Sequence, residues 1–344
     1  MKVDYIIVGL GLAGIALAER LEAINKSFVV FDDESQHSSR TAAGAYNPVI
    51  LKRFTPVWNG SEQIELALPF YRQIEDKLQI KLDFPVLTKK VFKSIEDENN
   101  WFTATDKPRL QNYLDPKLDK DSYGGVISEF GFGNVRNTGW IDTNVLLDHY
   151  QLYLKETGRI RFEAFEYDQL ELKDGILYQD IQADKIVFCE GYGITKNPYF
   201  RHLPLNGTKG EVLIIEAPEL GIDFQVKSTI FVLPLGNHRY KVGATFNRTD
   251  KSSDPTEEGK SELIEKLKKV ISVPYTIINH RAGVRPTVKD RRPLVGVHPE
   301  HNNVAILNGL GTRGVMIAPT VSKQLIDHIE LGTPLDAEID ISRF

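Results

Sequence analysis

The sequence predicts an α/β chain in which a parallel-sheet unit is interleaved with an α+β unit built on a mainly antiparallel sheet. Three observations lead there. An apolar run over residues 2–8 breaks into a glycine-rich turn and then into helically spaced apolar residues. A second glycine loop stands near the C-terminus, at residues 309–314. Between them lie successive strand-like runs with few helical stretches.

The first run leads into Gly9-Leu10-Gly11-Leu12-Ala13-Gly14 and then Ile15-Ala16-Leu17-Ala18. In such a strand, turn and helix, the first glycine permits the tight turn and the second lets a pyrophosphate approach the backbone. The third, Gly14, lets the helix pack on the strand. Free N–H groups at the helix start then face phosphate. Phe28-Val29-Val30-Phe31 reads as the next buried strand and ends in Asp32-Asp33. Asp32 stands where a carboxylate accepts hydrogen bonds from an adenosine ribose and repels the extra phosphate of NADP; Asp33 lies beside it. This is a Rossmann-type dinucleotide unit.

The middle of the chain supplies the second unit. Ile64, Leu68, Tyr71, Ile74 and Leu78 trace a helical stripe that Pro69 should kink, and residues 82–93 read as strands. Asp142 or Thr143 caps a helix carrying Leu146, Leu147, Tyr150 and Leu154. Residues 211–215, 229–235 and 240–246 read as strands, and Asp254-Pro255-Thr256-Glu257 opens a helix. Glu262/Lys266 and Glu265/Lys269 mark its solvated face. Cofactor segments at both ends imply interleaving: residues 1–50, 141–204 and 281–344 form the cofactor domain, 51–140 and 205–280 the substrate domain.

Composition narrows the function. The 344 residues are 41% apolar and 26% charged with a net charge of -5, a globular mixture that disfavours a dedicated nucleic-acid or anionic-membrane binder. The one cysteine, Cys189, excludes an intramolecular disulfide and any multi-thiolate metal site, and points to the cytoplasm. No apolar run reaches the ~18 residues of a spanning helix, and the N-terminal run breaks too early for a signal peptide. His298-Pro299-Glu300-His301 has ligand-type side chains, but the proline and loop setting make it a solvated turn, so no metal is expected.

Gly309-Leu310-Gly311-Thr312-Arg313-Gly314-Val315 follows a strand-like run, yet only 30 residues remain after Gly314, too few for a second complete dinucleotide unit. It reads instead as a loop that aims a helix N-terminus at the N1/C2=O edge of an isoalloxazine, which becomes negative on reduction.

With these motifs the sequence resembles the FAD-dependent D-amino-acid oxidase superfamily, most closely its glycine oxidase and sarcosine oxidase-like branch. Arg40-Thr41-Ala42-Ala43-Gly44-Ala45-Tyr46 is similar to the family's small-residue loop under pyrophosphate and flavin. Gly283-Val284-Arg285-Pro286 is similar to its Gly-Leu-Arg-Pro segment, and the strand ending in Cys189-Glu190-Gly191 to the one that returns to the first unit. The likeness is weakest at residues 50–140 and 205–280. It implies FAD, a small amine or amino-acid substrate, and oxygen or another electron acceptor. Covalent members of the branch use a cysteine near the Gly283 segment; none stands there, which implies a non-covalent flavin.

Such an enzyme passes hydride from the carbon bearing an amine to flavin N5, giving an imine that water hydrolyses. Arg285 is the first candidate for a carboxylate clamp, because a guanidinium offers two parallel donors. Arg313 is the second, for the carboxylate or the flavin edge. Tyr46 is a candidate pocket wall, and His238 and Tyr240 candidate substrate contacts. Lys209 and Lys241 are candidates for the charge that governs reoxidation. An alternative starts from the basic cluster Arg281, Arg285, Lys289, Arg291 and Arg292, with Lys52 and Arg53. The superfamily also holds the oxidoreductase half of a bifunctional enzyme that removes a carboxymethyl group at the wobble uridine of tRNA, and such a substrate needs a phosphate-binding surface. The negative net charge and the missing methyltransferase half weigh against it. A non-catalytic flavoprotein is the third reading.

Overall fold

The computed structural model describes residues 1–173 and 175–344. Its first sheet has eight strands. The strands Ile160–Arg161, Phe28–Phe31, Lys2–Val8, Ile181–Phe188 and Val304–Asn308 run parallel, in that order. Their apolar runs are nearly continuous because both faces are covered. Along Lys2–Val8, Tyr5 and Ile7 face one core and Ile6 and Val8 another, as alternation requires. Helices Leu12–Ala23, Thr143–Glu156 and Gly314–Leu331 pack on the first of these faces.

The expected helix caps form. Asp142 Oδ1 accepts from the amides of Asn144 (3.0 Å) and Val145 (3.1 Å), and Thr256 Oγ1 from that of Gly259 (3.0 Å). The stripe around Ile64 is the helix Gly60–Leu78, with Pro69 inside it. On the helix Glu257–Leu267 the Glu262 and Lys266 pair forms, whereas Glu265 pairs with Lys268 and not with Lys269.

The second sheet also has eight strands. It runs in the order Thr276–Arg285, Thr208–Glu216, Arg239–Gly243, Phe231–Gly236, Gln225–Lys227, Thr88–Val91, Phe132–Val135 and Leu114–Asp119. It is antiparallel except where Gln225–Lys227 runs parallel to Thr88–Val91. Val126 makes an isolated bridge to Ile271. The back of this sheet buries Leu213, Tyr240 and Val242 with Leu263 and Leu267 of the following helix. Its front faces the parallel sheet, and the cavity lies between them.

Candidate active site

Both glycine loops open on one cavity of about 1080 Å³. At one end the turn after Lys2–Val8 brings Gly9, Gly11, Leu12 and Ala13 to its wall. Gly14 is not in the wall. A Cβ there would sit 2.0 Å from the Gly9 carbonyl oxygen, so the residue exists to let helix and strand touch. Gly11 precedes the first helical turn and caps it with no side chain of its own; the Leu12 amide donates to Ser39 Oγ at 3.3 Å. Asp32 lies in the same wall and accepts from the amides of Leu10 and Glu34, the latter at 2.7 Å. Burial raises its carboxyl above the usual range. Asp33, Arg40, Thr41, Ala42, Ala43 and Gly44 continue the wall. Arg40 is anchored to Asp148 at 2.6 Å and Gln151 at 2.9 Å, and Thr41 Oγ1 donates to the Ala282 carbonyl at 2.8 Å.

Glu190 and Gly191 close this end. The Glu190 carboxyl receives the Tyr167 hydroxyl and, at 2.7 Å, the Asn197 amide. Burial pushes it up to about 7 despite these donors, with Asp33 adding to the rise. Across the cavity, Gly309, Gly311, Thr312, Arg313, Gly314 and Val315 bring in the N-terminus of the helix Gly314–Leu331, also without a side-chain cap. Two helix N-termini therefore face one chamber, an arrangement suited to anionic groups.

Arg285 projects from the end of Thr276–Arg285 into the cavity. One of its terminal nitrogens donates to the carbonyls of Lys209 and Thr245, each at 3.3 Å, and its guanidinium lies 4.5 Å from the Phe246 ring centre. Among the described residues no carboxylate pairs with it, and burial lowers it to about 10. It fits only because residue 210 is glycine: a Cβ there would lie 1.9 Å from the guanidinium. Arg313 is also drawn down, by burial and then by neighbouring Arg291.

Three candidates are placed outside the cavity. Tyr46 sits between wall residues Ala45 and Asn47, and strand alternation turns it the other way, where its hydroxyl donates to Asp83 at 2.9 Å. Tyr240 points to the back of its sheet for the same reason. His238 is exposed in the hairpin turn at a φ of 57°. Lys209 is buried against Asp250 at 2.5 Å, and Lys241 donates to the Ala42 carbonyl at 2.7 Å, with burial lowering it to about 8. The donor atoms of His298, Glu300 and His301 gather within 4.8 Å away from the cavity, and His298 Nδ1 already accepts from the Glu300 amide.

Residues unremarked in the sequence also line the chamber: Val212, Gln225, Lys227 and Phe231 from the second sheet, and Thr229, Ala244, Phe246 and Arg248 from segments next to its strands. Their signal is strand alternation over residues 208–212 and 225–231, readable only once the front face of the sheet is known. Of the basic cluster, Arg285 and Arg291 reach the wall, together with Lys52. Arg281 binds Asn144 and Arg292 pairs with Glu338.

Residues 4–328 match the model of the DAO family, the FAD-dependent oxidoreductases. The chain belongs to that family. It is an FAD-dependent oxidoreductase, and the glycine turn, the acid at Asp32 and the two helix N-termini fit the cofactor the family uses. The proteins similar to it include the glycine oxidase of Bacillus subtilis, 22% identical, with 96% of this chain and 94% of that one covered. The tRNA 5-methylaminomethyl-2-thiouridine biosynthesis bifunctional protein MnmC of Idiomarina loihiensis is 25% identical over 99% of this chain, which spans 59% of that relative. Among solved structures, glycine oxidase from Geobacillus kaustophilus superposes with a TM-score of 0.80 at 17% identity, covering 100% of this chain and 98% of that one. Among the described residues no helix is long and apolar enough to cross a membrane.

Proposed function

We propose that this chain oxidises the C–N bond of a small amine or amino acid that bears a carboxylate, with Arg285 holding the carboxylate. The observation that carries the reading is a half-buried arginine in the cavity wall with donors to spare and, among the described residues, no acid paired with it. Such a cation is costly until an anion binds it. FAD supplies the two-electron acceptor when bound. Around it Gly9, Gly11, Leu12, Ala13, Asp32, Asp33, Glu190 and Gly191 receive the dinucleotide, and residues 40–44 with 309–315 the flavin half.

Arg285 sets the distance and orientation of the substrate through a bidentate grip. The apolar surface of Val212, Phe231 and Ala244 excludes water and favours the neutral amine, the form able to release hydride from its carbon. Arg313 and the helix N-terminus behind it favour negative charge on the opposite side of the chamber. The substrate leaves as an imine that water hydrolyses, and oxygen or another acceptor completes the cycle. We expect the flavin to be held non-covalently, since the one cysteine, Cys189, is buried beside the Gly9 turn and not at the Gly283 segment. An anaerobic absorbance scan with glycine, sarcosine, D-amino acids and other small amines tests the proposal. Bleaching of the oxidised flavin band by a carboxylate-bearing amine is the expected result; a band that none of them bleaches overturns it.

Lys52, Arg248 and Arg291 at the wall, with the likeness to the tRNA-modifying relative, favour a second reading in which the amine is carried on tRNA. Steeply salt-dependent tRNA binding together with flavin bleaching by tRNA alone selects it.

A further inference from the structure

The chamber segregates charge. Its wall carboxylates are Asp32, Asp33, Glu34, Glu163, Glu166 and Glu190, all on or beside the strands of the parallel sheet, at the dinucleotide end. The wall that the second sheet provides has cations and no acid among the described residues. Two of those cations lie far apart. Arg285 ends the strand Thr276–Arg285, and Lys227 ends Gln225–Lys227. Three strands intervene, so the two are separate positions and not one site. Between them the floor carries the apolar Val212, Ala244 and Phe231, with Thr208 beside Arg285 and with Gln225 and Thr229 flanking Lys227.

Among the described residues the Lys227 ammonium has no ion-pair or hydrogen-bond partner. It lies 5.6 Å from the Phe231 ring centre. Its neighbour across the strand pair is another lysine, Lys90, whose own ammonium is occupied by the Val91 carbonyl at 2.7 Å and by Asp97 at 3.4 Å. Burial first, and Lys90 second, lower Lys227 to about 8. A lysine set beside another lysine in a half-closed apolar chamber destabilises the protein unless an anion arrives to compensate.

We infer that Lys227 is a second anion subsite, and that the substrate is an amine with a negative group at each end, a carboxylate at Arg285 and a carboxylate or phosphate at Lys227. The inference rests on the reading of this cavity as the substrate chamber. An apolar floor between two cations matches a neutral amine and its methylene carbons between two anionic ends. It makes Lys227 the residue that separates such substrates from glycine-sized ones, which reach Arg285 alone.

The test is a binding series on the FAD-loaded protein, read by perturbation of the flavin absorbance and by thermal shift, with redox-inert monoacids and diacids of increasing length. The distal group is either carboxylate or phosphonate. In the unaltered protein diacids of one length should bind at least about tenfold more tightly than monoacids. Preference for either distal group supports the subsite and names its ligand. In Lys227→Met the diacid-to-monoacid ratio should collapse to about one, and Lys227→Arg should restore it, which guards against a misfolded variant. Equal binding of monoacids and diacids by the unaltered protein, or a ratio untouched by Lys227→Met, overturns the inference. If inert diacids bind in a Lys227-dependent way and no amine bleaches the flavin, the amine-oxidising reading fails while the subsite stands. If amines bleach the flavin and the ratio is one, the reverse holds.

Discussion

At its dinucleotide end the cavity is shaped by backbone, through a glycine turn, the helix N-terminus that follows it and the carboxylate that follows the strand Phe28–Phe31. At its substrate end it is shaped by side chains standing on the front of a sheet, where neighbouring positions along a strand point to opposite faces. The backbone end demands particular residues at particular spacings, and any change there breaks a contact with the main chain. The side-chain end demands only that some strand place some residue in the wall, so its composition is free to vary with the substrate.

The sharpest way to break the backbone end is Gly14→Ala. The new Cβ would fall 2.0 Å from the Gly9 carbonyl, so helix and turn must part, at a cost of about 3 kcal/mol. Purified protein should carry little or no flavin and melt well below the unaltered chain. Full flavin content would show that the turn tolerates the separation. The corresponding change at the side-chain end is Arg285→Ala. Removing a buried cation that grips a carboxylate costs about 2 to 5 kcal/mol of binding. The apparent KM for the substrate should therefore rise by about 30-fold or more, with flavin content retained. An unchanged KM would remove Arg285 from the substrate site and leave the cofactor end untouched.

This contrast also explains what the sequence made legible. Gly9, Gly11, Asp32 and residues 309–315 are recognisable because spacing along the chain fixes their geometry, and all of them reach the wall. Arg285 is recognisable through its flanking Gly283 and Pro286. Tyr46, His238 and Tyr240 show the opposite case, since their chemistry and the segment they lie in suggested them while alternation or a turn directs them elsewhere. Lys227 carries no local signal. Its strand is three residues long, and its importance arises from pairing with Thr88–Val91, distant in sequence.

A smaller effect sharpens the account of the cofactor end. Asp32→Asn keeps the size of the side chain but removes the charge that accepts hydrogen bonds, worth about 1.5 to 3 kcal/mol for a charged acceptor. The Kd for FAD, measured by fluorescence titration of the flavin-free protein, should rise by about tenfold or more. A change under twofold would mean that the carboxylate serves only to hold the amides of Leu10 and Glu34.

The smallest effect concerns Glu190, a dinucleotide-end group whose charge depends on pH. Burial lifts its carboxyl from an ordinary 4.5 to about 7, so between those values the folded chain keeps a proton that the unfolded chain releases. The folded state therefore binds more protons in that window. Its stability must fall as pH rises from about 4.5 to 7 and level off above, the reverse of an ion-paired carboxylate. Thermal melts of the flavin-free protein should show this as a decline of a few degrees that Glu190→Gln flattens. The diphosphate of FAD should extend the same trend, because two phosphate charges in the same chamber favour the uncharged carboxyl and move its titration upward. FAD should then be held less tightly as pH rises through 7 and beyond, and Glu190→Gln should lose most of that dependence. FAD binding independent of pH would mean that the carboxyl faces the Tyr167 hydroxyl and Asn197 amide without sensing the cofactor, and tighter binding with rising pH would mean that the cofactor favours its charged form.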